Sequence, residues 1–71
     1  MKYREVVKRM KRKGYSCHEI KRGNRGSHRS WYNPDTGKYS MLPYHGNKDI
    51  DKGLLCSFIK ALGIDWSEFN S

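Results

Sequence analysis

The sequence predicts an α+β domain of order α-β-β-β-α: a three-stranded antiparallel sheet with two helices on one face. Three observations carry this. An apolar stripe at helical spacing stands near each end, three short strand-like runs lie between them, and turn residues punctuate the runs. A chain of 71 residues has room for one core, so residues 1–71 are expected to form a single domain. Two amphipathic helices and a sheet with one apolar face bury those surfaces by packing in two layers.

The elements follow in order. Tyr3, Val6, Val7 and Met10 fall at i, i+3, i+4 and i+7, which predicts a helix over about 3–13. Gly14 ends it. Arg4, Lys8, Lys11 and Arg12 take its other faces, and Glu5 stands one turn before Lys8 and Arg9 for weak pairing. Tyr15 to Lys21 is aromatic and β-branched enough to read as a strand, followed by turn signals at Gly23-Asn24 and Gly26. His28 to Asn33 is the second strand, closed by Asn33-Pro34-Asp35-Thr36-Gly37, and Tyr39 to Tyr44 is the third. Pro43 sets the end of that strand at an edge or a terminus. Asp51 is a good N-cap for a helix over 52–62, with Leu54, Leu55, Phe58, Ile59 and Leu62 as its buried face and Gly63 as its stop. Asp65-Trp66-Ser67-Glu68 repeats a cap pattern and starts a short final turn or helix.

Composition narrows the function classes. Fifteen Lys and Arg against seven Asp and Glu give a net charge of +8. The bases are concentrated in residues 1–29, which carry +9, while residues 30–71 carry −1. Such polarity points to a face that meets a polyanion, although a solvated basic helix or an acidic protein partner would also account for it. No apolar run approaches the ~20 residues of a membrane span, and the N-terminus lacks a signal-peptide pattern. Cys17 and Cys56 are too few for a disulfide framework and read as reduced thiols. A cytoplasmic protein with no membrane partner is expected.

The residues that offer chemistry centre on Gly26-Ser27-His28, in the basic loop from Arg22 to Arg29. Strand alternation places His28, Ser30 and Tyr32 on one face and Arg29, Trp31 and Asn33 on the other. Trp31 is the large apolar residue, so its face belongs on the helices and His28 points outward. An imidazole suits proton transfer near neutral pH. The fitting reaction is attack of a ribose 2′-hydroxyl on the adjacent phosphate. It needs a base, an acid and positive charge, and no metal or other cofactor. His28 is the candidate base, and Arg22, Arg25 and Arg29 are candidates to stabilise the phosphorane. His45, Tyr44 and a returning His28 are all open as the acid. On local sequence alone a lone exposed histidine without a partner is weak evidence for catalysis and reads more readily as a plain surface residue.

Other groups carry less. His45-Gly46-Asn47-Lys48 leads into the second helix, whose N–H groups with Lys48 and Lys52 suit an anion; Asp49 and Asp51 oppose it. Gly53 admits either a ligand or a closely packed neighbour. No pair among Cys17, His18, His28, His45 and Cys56 has zinc-ligand spacing, so no metal site is expected. Trp31 and Phe58 read as core, leaving Tyr32 and Tyr44 as the better candidates for stacking on bases.

Three blocks together resemble the HicA family, small mRNA-interferase toxins of bacterial toxin–antitoxin pairs. They are Arg4-Glu5-Val6-Val7-Lys8 leading to Lys13-Gly14-Tyr15; Gly26-Ser27-His28; and Leu42 to Ile50 running into Lys52-Gly53-Leu54-Leu55 and Ile59 to Ile64. They span about residues 4–64 in the family's order. The resemblance implies a double-stranded-RNA-binding-domain-like fold and a ribosome-independent endoribonuclease with His28 catalytic. It implies mRNA, as single-stranded RNA, for substrate; the chain's own basic residues Arg22, Arg25, Arg29, Lys8, Lys11, Arg12, Lys48 and Lys52 are the candidate contacts, with Ser27, Tyr44 and His45 as secondary candidates. It further implies a HicB-type antitoxin that covers His28, the free chain being monomeric and the complex a hetero-oligomer. Arg29 and Ser30 follow the signature where members often carry a second histidine or an aromatic, and the Asn33–Lys38 turn is particular to this chain. The alternative is a non-catalytic RNA-binding module that uses the same basic face. A protein-interaction domain for an acidic partner is a third class.

Overall fold

The computed structural model describes the backbone of residues 1–71 and the side chains of residues 1–21 and 26–71. Its elements are α1 (Tyr3–Arg12), β1 (His18–Arg25), β2 (His28–Asn33), β3 (Lys38–Pro43), α2 (Lys52–Ala61) and a short α3 (Trp66–Phe69). The strands form one antiparallel sheet in the order β1-β2-β3. This is the α-β-β-β-α arrangement, with α3 added as a terminal turn of helix.

Helix α1 buries Tyr3, Val6 and Met10, and Val7 lies half-buried at the margin of the stripe. Its first turn is closed by Glu5, whose carboxylate accepts the Lys2 N–H at 3.0 Å. Glu5 therefore satisfies one of the helix's orphan donors; no ion pair of Glu5 with Lys8 or Arg9 occurs among the described residues. Gly14, at φ 76°, ends the helix, and the Tyr15 N–H returns to the Met10 carbonyl at 3.1 Å. That closure holds Tyr15 against the helix. It explains why β1 begins at His18, three residues after the predicted start.

Trp31 and Leu42 anchor the inner face of the sheet and are buried with Val6, Met10, Leu55, Phe58, Ile59 and Leu62. Ring contacts of Trp31 with Tyr3 and with Phe58 place both main helices on this one face. Asp51 caps α2 through the Leu54 N–H at 3.2 Å. The buried stripe of α2 is Leu55, Phe58, Ile59 and Leu62, at i, i+3, i+4 and i+7. Leu54, expected in the core, falls outside that stripe in the first turn and is 41% exposed. Phe69 of α3 is fully buried and lies under the Arg9 guanidinium.

The β2–β3 turn is tied to the end of α2. Asn33 is buried; its amide donates to the Leu62 carbonyl at 2.7 Å, and the Thr36 hydroxyl reaches the same oxygen at 2.9 Å. Asn33 also accepts the Asp35 N–H at 3.1 Å, which makes the predicted turn an Asx turn.

Candidate functional site

His28 opens β2 and is exposed. Its register partner is Pro43, the last residue of β3, and the Tyr44 N–H continues the ladder by donating to the Ser27 carbonyl at 2.6 Å. The hairpin end that carries His28 is therefore held to the end of β3 by backbone bonds rather than by the imidazole. That leaves the imidazole exposed on the outer side of the sheet.

The neighbouring cation goes the other way. Arg29 lies on the inner face with Trp31, as alternation requires, and its guanidinium sits 5.2 Å from the centre of the Tyr44 ring. Tyr44 packs edge-on to Tyr3, with centroids 5.0 Å apart. The Tyr3 hydroxyl donates to the Glu19 carboxylate and accepts from Trp31 Nε1 at 3.0 Å. Burial, reinforced by the hydrogen bond to Glu19, pushes the Tyr3 phenol well above its ordinary range. This chain of contacts from Glu19 to Arg29 fixes the segment that follows β3. Sequence reasoning identified Tyr44 and Arg29 but missed Tyr3 and Glu19, which look like one more stripe residue and one more strand residue until the fold brings them together.

The other predicted residues do not form a single cluster. Lys8, Lys11 and Arg12 are exposed on α1. Lys8 and Arg12 face away from the sheet on the helix side, whereas His28 faces away on the opposite side. Lys11 instead borders a groove of about 300 Å³ between α1 and β1, floored by Met10, Cys17 and Trp31. Lys48 and His45 are exposed in the approach to α2 and line a second cavity of about 230 Å³ with Tyr3, Pro43, Ile50 and Leu54. Lys52 is exposed at the start of α2. There the Leu54 N–H is already taken by Asp51, and Asp49 pairs with the terminal amino group at 3.5 Å. A Cβ on Gly53 would meet only Asp51 Oδ2, at 3.2 Å, so no other element packs on it. Ser27 is half-buried beside His28. Arg22 and Arg25 lie outside the residues whose side chains are described.

Cys17 and Cys56 are free, and burial pushes the Cys17 thiol up. Among the described residues no group of three or more His, Cys, Asp or Glu is placed to hold a metal ion. Nor is any helix among them long and apolar enough to cross a membrane.

A basic α-β-β-β-α domain that presents an exposed imidazole at the start of its central strand defines the class: a small, strongly basic α+β protein. The family model described as HicA toxin of bacterial toxin-antitoxin matches residues 3–64. The chain belongs to that family and is a toxin of a toxin–antitoxin system, with an antitoxin for partner. No curated protein and no solved structure matches it.

Proposed function

We propose that this toxin is an endoribonuclease that cleaves mRNA in single-stranded regions without a metal ion, with His28 as general acid/base, and that a HicB-type antitoxin in the cytoplasm neutralises it by covering His28. The single observation behind this reading is the imidazole on the outer face of the sheet, beside a glycine turn and free of any backbone duty. In the reaction the 2′-hydroxyl gives its proton to His28 and its oxygen bonds to the adjacent phosphorus. The bond to the 5′-oxygen breaks, and that oxygen takes a proton from an acid, for which Tyr44, His45 and protonated His28 are the candidates. The products are a 2′,3′-cyclic phosphate and a 5′-hydroxyl.

Purified protein is expected to cut single-stranded RNA in EDTA, and His28→Ala to lose cutting while its circular dichroism stays unchanged. Cutting that depends on added metal, or an active His28→Ala, refutes the mechanism. The exposed Lys8, Lys11 and Arg12 favour a second reading, a binding module that does not cut. That reading predicts salt-sensitive RNA binding by the wild type with no cleavage products at any enzyme concentration.

A further inference from the structure

The outer face of the sheet is unpartnered, because both main helices pack on the Trp31 and Leu42 side. The register puts His18 opposite Tyr32 and Tyr32 opposite Tyr39, so three rings form a row across all three strands on the same face as His28. The ring centroids are 5.9 Å apart for His18–Tyr32 and 4.6 Å apart for Tyr32–Tyr39. Tyr39 is 66% exposed and Met41, beside it, 46%. A cross-strand aromatic pair alone contributes to sheet stability. Here, however, the outermost ring offers most of its surface to solvent.

We propose that this row is a base-stacking platform for single-stranded RNA. The proposal rests on the ribonuclease reading for the position of the scissile phosphate at His28. His28 and Tyr32 are four residues apart on one strand, ~13 Å at the usual rise, a span that a few extended nucleotides cover. Every nucleobase has a π-face, so such a platform binds without demanding a sequence.

Charge favours a polyanion as the occupant. Among the described residues, no carboxylate occupies an outward position of the sheet. Glu19 is on the inner face, held by Tyr3. Lys21 and Lys38 are exposed at the ends of their strands, Lys38 opposite the inward Asn33, so the attraction comes from the net charge of +8 and not from a cation on the face itself.

The test is equilibrium binding of the full-length protein to a fluorescent 2′-O-methyl oligoribonucleotide, which lacks the attacking hydroxyl and so reports binding whether or not His28 is catalytic. Tyr39→Ala and Tyr32→Leu are each expected to weaken binding about ten- to a hundredfold. The slope of log affinity against log salt should stay unchanged, because no phosphate contact is lost. The same oligonucleotide with abasic positions should bind the wild type about as weakly as the variants bind the intact strand. Unchanged affinity in Tyr39→Ala, with its fold checked by circular dichroism, overturns the proposal. So does a loss of antitoxin binding with RNA binding intact, which would make the face the antitoxin's alone. Failure of the catalytic reading would show instead as an active His28→Ala, with the binding results standing.

Discussion

Replacing Tyr3 with Phe removes one oxygen and tests the network behind the site. In the wild type that oxygen accepts from Trp31 Nε1 at 3.0 Å and donates to the Glu19 carboxylate. Trp31 is buried, so Tyr3→Phe leaves its N–H without a partner, a cost of about 1–3 kcal/mol. Glu19 is only half-buried and recovers its lost bond from water. The net loss is therefore expected near 2 kcal/mol. In a domain of this size that lowers the melting temperature by about 8–16 °C, read by circular dichroism, with the urea midpoint falling at constant slope. The alkaline limb supplies a second reading. The folded-state phenol of Tyr3 titrates above its ordinary value because it is buried and bonded to Glu19. Its contribution is thus fully present below the unfolded value near pH 10 and is lost as the pH rises beyond it. Tyr3→Phe should accordingly lose less stability than the wild type between about pH 9 and pH 11. A stability loss under about 0.5 kcal/mol, or an unchanged alkaline slope, would show that water satisfies Trp31 and that the network does not hold the segment.

Gly63 sits at φ +78°, and a Cβ there would lie 2.7 Å from Thr36 Cγ2. Gly63→Ala should lower the urea-derived stability by about 1–3 kcal/mol, and Thr36→Ser in the same chain should restore part of it. Asp51→Ala removes the cap on the Leu54 N–H and should cost about 1 kcal/mol, or about 4–8 °C in thermal melting. The Cys17 thiol, pushed up by burial, should be alkylated by iodoacetamide at pH 8 more slowly than in the urea-unfolded chain, with a rate that climbs as pH is raised.

The fold was legible wherever local pattern and tertiary need agree. The stripe of Tyr3, Val6 and Met10, the Asn33–Gly37 turn and the Asp51 cap each stand where the spacing put them. The failures come from tertiary context. Leu54 carries the same apolar signal as Leu55, and only the axis of α2 decides which of two adjacent leucines faces the sheet. Phe69 follows a short capped segment with no periodicity to announce it, yet it is fully buried. For the site, alternation was enough to turn His28 outward and Arg29 inward. It says nothing about the partners each face acquires. Tyr44 was legible as an exposed aromatic, but its place between Arg29 and Tyr3 depends on the closure of β3 onto the Ser27 carbonyl.

The sheet divides its two faces between stability and chemistry. A core of this size supplies only a few kcal/mol in excess of the entropy of ordering it, so the inner face has little apolar surface to spare. Trp31 and Leu42 go wholly to the helices, and Arg29 is kept on that side by the Tyr44 ring. Whatever His28 does must therefore be supported from the outer face and the ends of the strands. Tyr32, Tyr39 and Met41 stand there at no cost to the core. The described cations lie elsewhere: Lys8 and Arg12 point away on the helix layer, and Lys21 and Lys38 only flank the sheet. A strand of RNA that reached both the basic helix and His28 would have to pass around a sheet edge. The groove beside β1 lined by Lys11, His18 and Glu19 is the described route that joins the two layers. Lys11→Ala should then lower RNA affinity and reduce the salt slope by about one, more than the same change at Lys60, which is exposed near the end of α2. Equal effects at Lys11 and Lys60 would leave only diffuse charge, with no path between the faces.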